Sequence, residues 1–312
     1  MLPFFSEEQV RSVLRFEDLI PAMEAALVAF SAGRFAQAAR QMLEVKPHGG
    51  HFGAMSAAGE VGVGAKLVTV YPGNAERGLP THLAVILLFR PETGEPLAIM
   101  DGRLITEMRT AAVSAAVTKH LMPPDSRVLA LVGSGVQARA HLRALADVNK
   151  FDEVRVWSRS AAHAQQFAAA HGARAMNLEA AVRGADVIVT ATNSLEPLVR
   201  GEWLKPGAHL NSVGSPRPTW RELDNDVMHN TLVVDSREAV LKESGDVILS
   251  GAPIFAEAGE IFAGTKSAQR SRTTVFKSVG IAAEDIATAR LVYDAVVGHA
   301  ANLPAGGRAA CR

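Results

Sequence analysis

The stretch Val128-Leu129-Ala130-Leu131-Val132-Gly133-Ser134-Gly135-Val136-Gln137-Ala138 decides the fold. Val128–Val132 is an unbroken apolar run, the pattern of a strand covered on both faces. It leads into Gly-x-Gly-x-x-Ala and then a helical pattern over Gln137–Val148. In that context Gly133 permits a tight turn, Gly135 lets backbone approach a pyrophosphate, and the small Ala138 lets helix pack on strand. The helix N-terminus faces the phosphate charge. Downstream, strand patterns at Glu153–Trp157, Ala173–Asn177, Asp186–Ala191, His209–Val213, Leu232–Asp235 and Thr274–Ser278 are interspersed with helical ones at Ala161–His171, Leu178–Val182 and Ala283–Val297. Together they predict a Rossmann-type, doubly wound parallel sheet in an α/β fold.

Upstream the pattern differs. Ser6 and Gln9 form a capping box. A helix is expected over Pro21–Ser31, with Pro21 in its first turn. Lys46–Ser56 reads as a Gly/His loop, followed by three strands at Gly64–Tyr71, His82–Arg90 and Pro96–Asp101. An Ala-rich helix over Gly102–His120 ends before Pro123-Pro124. This half is expected to be a smaller α+β domain, residues 1–118, joined by the C-terminal helix 283–303. The dinucleotide-binding domain is expected over 119–282, with a disordered tail at 304–312.

Composition narrows the class. Among 312 residues, Lys+Arg and Asp+Glu are both 32, so the basic surplus of a nucleic-acid binder is missing. The longest nearly uncharged apolar stretch, near Leu83–Phe89, is far short of the roughly 20 residues that span a bilayer. Met1–Phe5 has no basic segment and does not read as a secretory signal. Cys311 is the single cysteine, which excludes an internal disulfide or a cysteine metal cluster. A cytoplasmic protein that binds a small molecule is expected, with no nucleic-acid or membrane partner. His48 and His51 lie in His-x-x-His without a nearby Cys or carboxylate, a poor zinc site, so no metal is expected.

The end of the second strand ordinarily reads the cofactor's ribose. A carboxylate there would bind the 2′-hydroxyl of NAD, but the residues are Trp157-Ser158-Arg159-Ser160. Arg159 can pair with a 2′-phosphate, and Ser158 and Ser160 can donate to it. NADPH is therefore favoured over NADH.

Longer runs carry a resemblance. Lys66–Tyr71, Met108–Ala115, the Gly133 motif, Asn211–Gly214, Arg217–Leu223, Leu241–Val247 and Phe276–Ser278 resemble the ornithine cyclodeaminase/mu-crystallin family over nearly the whole chain. The later runs resemble its mu-crystallin branch. The resemblance implies a homodimer built through the N-terminal domain, a nicotinamide cofactor, and a substrate held between domains. It implies a carboxylate-binding set of Arg40, Lys66 and Arg109. Guanidinium can grip a carboxylate in bidentate fashion, whereas Lys adds a point charge. Cofactor contacts are expected from Arg109, Thr110, Gly133, Gly135, Val136, Gln137, Ser158, Arg159, Ser160, Thr192, Val213 and Ser278. Lys66 and Glu243 are the catalytic candidates, Glu243 as the acid. His82 either reaches the cleft or is a satisfied core or edge histidine, and Asp235 reads as scaffold.

The lyase and alanine dehydrogenase members of the family carry a catalytic Asp after the Val-Gly turn. That position falls on Pro216 here, and the neighbouring Lys position on Trp220. Proline can neither accept nor donate a proton. Reducing a preformed cyclic imine demands less, because the C=N carbon takes hydride directly and the nitrogen needs only a proton. The expected activity is therefore NADPH-dependent reduction of a cyclic imino acid. The alternatives are an ornithine cyclodeaminase or alanine dehydrogenase-like enzyme, and a non-enzymatic NADPH-linked binder.

Overall fold

A computed structural model describes residues 2–302; the expected tail lies outside them. The second half follows the strand-and-helix reading closely. Its strands are β8 (Val128–Val132), β9 (Glu153–Trp157), β10 (Arg174–Ala175), β11 (Val187–Thr190), β12 (His209–Ser212), β13 (Thr231–Val234), β14 (Ile254–Glu257) and β15 (Thr274–Lys277). All pair in parallel, in the order β10-β9-β8-β11-β12-β15-β13-β14. The chain leaves β8 towards β9 and β10, then returns to the other side at β11. That reversal opens a crevice at the carboxyl ends of the strands, where open α/β sheets bind ligands. The helices of this half are α4 (Val136–Ala146), α5 (Ala161–His171), α6 (Leu178–Val182), α7 (Asn225–Met228), α8 (Arg237–Glu243), α9 (Gly245–Ser250) and α10 (Ala258–Phe262). Of these, α7 to α10 and β14 were not expected, because each is too short to show a period.

The first half departs more from expectation. It holds a seven-stranded sheet rather than three strands: β1 (Phe4–Phe5), β2 (Phe35–Gln37), β3 (Gln41–Val45), β4 (Gly50–Gly59), β5 (Gly62–Val70), β6 (His82–Phe89) and β7 (Pro96–Asp101). Most of the expected Lys46–Ser56 loop is the start of β4. Its glycines conceal it, and neighbouring strands explain them. A Cβ on Gly50 would collide with the Tyr71 ring, and one on Gly53 would lie 2.6 Å from the Met42 sulfur. Pairing is antiparallel except between β1 and β7.

Four further α-helices complete the fold among the described residues. α1 (Glu7–Val13) carries the expected capping box of Ser6 and Gln9. α2 (Phe16–Ser31) starts five residues before Pro21, which lies inside it. Phe16, Leu19, Ile20 and Met23 form a continuous buried face there, and burial of that face outweighs the hydrogen bond that Pro21 cannot make. α3 (Arg103–Leu121) is buried nearly all round and packs on both α2 and α4, linking the halves. α11 (Ala282–Asn302) returns from the end of β15 to pack on α2, β4 and β5.

Candidate active site

A cleft of about 510 Å³ runs between the two sheets. One wall comes from the carboxyl ends of β8, β11, β12 and β15: Gly135–Gln137, Ala191–Asn193, Val213, Gly214, and Ser278–Gly280. The other comes from Arg40, Lys66, His82 and the α3 residues Arg109 and Thr110.

The wall at β8 is shaped for a dinucleotide. Gly133 turns at φ 121°, and a Cβ there would sit 2.6 Å from the Ala191 carbonyl. Gly135 is the N-cap of α4 without a side-chain cap, and space beside its Cα is open. Free N–H groups of the first helical turn therefore face the cleft, as a phosphate requires. Ser134 donates to Ser158 at 3.0 Å, tying the glycine turn to the end of β9. Arg159 is exposed there and has no hydrogen-bond or ion-pair partner among the described residues. The Ser160 hydroxyl instead caps α5, accepting from His163 N–H. These three residues lie beyond the cleft lining, one strand out from β8. On α3, the Thr110 hydroxyl donates to the Thr106 carbonyl.

The opposite wall is a buried ion cluster. Lys66, pointing inward from β5, is 2% exposed, with Nζ 2.5 Å from Asp285 Oδ2. Arg109 Nε is 3.0 Å from Asp285 Oδ1, and its Nη1 is 2.6 Å from Glu284 Oε2. Glu284 and Asp285 stand in the first turn of α11. Burial lowers the Lys66 pKa to about 8, against the pull of Asp285 and with the push of Arg109. Burial raises the Glu284 carboxyl to about 7, against Arg109. Burial alone would raise Asp285 too, but Arg109 and Lys66 outweigh it and hold its carboxyl below the ordinary value. Gly280, at φ 77°, lies flat on the guanidinium: a Cβ there would be 2.5 Å from Arg109 Nη1.

Arg40 bridges the halves. Its Nη2 donates to the Val279 and Gly280 carbonyls at 2.8 Å each, and its Nε lies 3.2 Å from Glu243 Oε2. Glu243, at the end of α8, is behind Arg40. It lines a smaller neighbouring cavity with Lys242 and Glu238, not the main cleft. Burial raises its pKa, opposed by Arg40. Pro216 is on the cleft wall, following Ser215, which at φ 47° is the one non-glycine residue in the left-handed region among those described.

Four acids escaped the sequence reading as site residues. Glu284 and Asp285 look like an ordinary acidic first helical turn. Asp235 is scaffold, as expected, but scaffold for the cleft: its Oδ2 accepts from Ser278 Oγ and from the Val279 and Gly280 N–H groups. Glu222 holds the opposite rim, accepting from Thr192 N–H and Gly214 N–H. Among the described residues no three His, Cys, Asp or Glu side chains are grouped to hold a metal.

A parallel sheet with a glycine turn at its switch point, facing buried cations across a cleft, defines a dinucleotide-binding protein for a small anionic molecule. The chain belongs to the ornithine cyclodeaminase/mu-crystallin family, whose model matches residues 3–300. It is 50% identical over 301 residues to the ketimine reductase mu-crystallin of Mus musculus, covering 93% of this chain and 96% of that one. Among solved structures it is similar to Thermococcus litoralis Δ1-pyrroline-2-carboxylate reductase in complex with NADH and L-proline, with TM-score 0.89, 36% identity, and coverage of 96% of this chain and 98% of that one. An archaeal alanine dehydrogenase dimer with bound NAD has TM-score 0.89, 31% identity, and coverage of 96% and 97%.

Proposed function

We propose that this protein reduces cyclic imino acids such as Δ1-pyrroline-2-carboxylate or Δ1-piperideine-2-carboxylate with a nicotinamide cofactor, NADPH in preference to NADH. The observation that carries the reading is Pro216 on the cleft wall, opposite an intact set of cations. A cyclodeaminase or amino-acid dehydrogenase needs a base where Pro216 stands, whereas imine reduction does not. The relatives named for ketimine and pyrroline-2-carboxylate reduction support the same reaction.

A nicotinamide cofactor held at the Gly133–Gly135 turn and the N-terminus of α4 would supply the hydride for the imine carbon. Arg109 and Arg40 hold the substrate carboxylate, and Lys66 gives its proton to the ring nitrogen as the C=N π bond breaks. With a pKa of about 8, Lys66 is charged at neutral pH yet acidic enough to donate. Glu243, expected as the acid, stands behind Arg40 and outside the main cleft, so its part is to orient that guanidinium. Arg159 underlies the NADPH preference, since a charge-assisted contact to a 2′-phosphate is worth about 1.5–3 kcal/mol.

Labour then divides between residues 1–118 with α11, which hold the substrate, and residues 119–282, which hold the cofactor. A homodimer through the first sheet fits its outer face. Val63, Ala65, Leu67, Leu83, Val85, Leu87 and Phe89 point away from the core there, and none is fully buried. No helix among the described residues is long and apolar enough to cross a membrane, and a cytoplasmic location accords with a single cysteine. The test is loss of reduced-cofactor absorbance with a panel of cyclic imino acids, NADPH beside NADH. Turnover of a cyclic ketimine with NADPH is expected. Robust ammonia release from ornithine, or no oxidation with any imine, overturns the reading.

A further inference from the structure

We propose that Asp285 is the positioning residue of the reaction: it divides its two oxygens between Lys66 and Arg109, and so fixes the proton donor beside the carboxylate clamp. The inference rests on the reading of Lys66 as that donor. Asp285 Oδ2 meets Lys66 Nζ at 2.5 Å and Oδ1 meets Arg109 Nε at 3.0 Å, with all three side chains buried. One carboxylate thus sets the spacing between two cations that come from different elements, β5 and α3. It does so from the first turn of α11, a helix that packs on β5 and α3 alike.

The charges around Lys66 make Asp285 decisive. Arg109 from α3 and Arg40 from the segment between β2 and β3 both repel its ammonium, and burial disfavours it further. Among the described residues Asp285 is the one group in direct contact that favours the charged form. Glu284, also on α11, is engaged with Arg109, and His82 on β6 is pushed towards its neutral form by burial and the same cations. Asp235, at the end of β13, is committed to Ser278 and the backbone of Val279 and Gly280. Without Asp285, Lys66 would sit among cations with no counter-charge of its own. It would then lose its proton near neutral pH.

The experiment follows Lys66 directly, by NMR of protein labelled with [13Cε]lysine, with the Lys66 signal assigned through its loss in Lys66→Met. In Asp285→Asn the Lys66 titration midpoint is expected at least one pH unit lower than in the parent. Asp285→Glu, which keeps the charge, should return it most of the way. The alkaline limb of kcat for cyclic imine reduction should move down with it, lowering turnover on that limb about tenfold for each pH unit by which the midpoint falls, while NADPH Kd stays within about twofold. An unmoved Lys66 midpoint in a folded Asp285→Asn protein overturns the proposal, even if its activity falls. If Asp285→Asn does not fold, an Asp285→Glu midpoint equal to the parent's upholds it, provided Asp285→Ser or Asp285→Ala lowers that midpoint; failure to do so overturns it. If the parent reduces no cyclic imine while the NMR midpoint moves, the functional reading fails and the placement of Lys66 by Asp285 stands.

Discussion

Two buried ion clusters lie on opposite sides of the cleft, and they are built differently. In the second half, Glu222, Asp246 of α9 and Lys277 of β15 are all fully buried. Glu222 accepts five hydrogen bonds, from Thr190 Oγ1, Thr192 N, Thr192 Oγ1, Ser212 Oγ and Gly214 N. Asp246 accepts from the Glu222 and Leu223 N–H groups and pairs with Lys277 at 2.9 Å. Lys277 also donates to Ser212 Oγ and the Gly214 carbonyl. In the first half, Glu284 Oε1 is buried with no hydrogen-bond partner among the described residues, and the cations of Lys66, Arg109 and Arg40 line open space. The saturated cluster holds strand ends in place. The unsaturated one keeps capacity for a ligand that arrives later, and buried charge without full compensation lowers stability unless a ligand completes it.

The sharpest way to break this contrast is Lys66→Met. Loss of a proton donor costs about 10²–10⁴ in rate, so imine turnover should fall by that factor in steady-state assays. Unfolding stability at pH 7 should change by no more than about 1 kcal/mol. Removing one partner of a buried pair costs about 3–5 kcal/mol where it strands the other charge, but here Asp285 keeps Arg109, and the change also returns the desolvation that pushes the Lys66 ammonium down to about 8. A collapse in urea midpoint would show that the cluster is structural after all.

The opposite result is expected for Glu222→Gln. Each Glu222 oxygen accepts one backbone N–H, Thr192 on Oε1 and Gly214 on Oε2. A glutamine amide must therefore turn its NH₂ towards one of them, whichever way it flips. A buried donor without an acceptor costs about 1–3 kcal/mol, and the urea midpoint should drop accordingly. Because Thr192 and Gly214 rim the cleft, cofactor binding should weaken in step. Unchanged stability would remove the distinction between the clusters.

The contrast also explains what could be read from sequence. Val128–Val132 and Gly133–Ala138 announce themselves because strand, turn and helix are contiguous and each residue type answers one local constraint. β4 does not, because its glycines answer to Tyr71 and Met42 on other strands. Arg40, Lys66 and Arg109 were legible through family resemblance, and the structure brings them onto one cleft. Their counter-charges were not: Glu284 and Asp285 lie about 175 residues beyond Arg109, in positions that any acidic helix start would occupy. Glu243 was expected to be the acid and stands instead behind Arg40, since only the fold decides which side of a guanidinium a carboxylate takes.

The smallest expected effect, and the most discriminating, is that of Glu284→Gln. Burial raises the Glu284 carboxyl from 4.5 to about 7 in the folded protein. A carboxyl that is harder to ionise folded than unfolded stabilises the fold fully below the unfolded value. That contribution is lost as pH rises from about 4.5 through about 7, and nothing further changes above. Glutamine mimics the protonated form and has no such titration. At pH 5 the variant should therefore be less stable than the parent by no more than about 1 kcal/mol, the net worth of one altered hydrogen bond to Arg109. By pH 8 that gap should close or reverse, because only the parent must then bury the extra negative charge. The same logic reaches the ligand. An ionised Glu284 competes with a substrate carboxylate for Arg109, so above pH 7 the variant should show a lower KM for the imino acid than the parent, and below pH 6 the two should converge. Urea midpoints at pH 5 and pH 8, with KM at the same values, check both halves; a gap in stability that stays constant with pH would mean that Glu284 is ionised throughout, and the cleft cluster would then be as fully compensated as the one around Glu222.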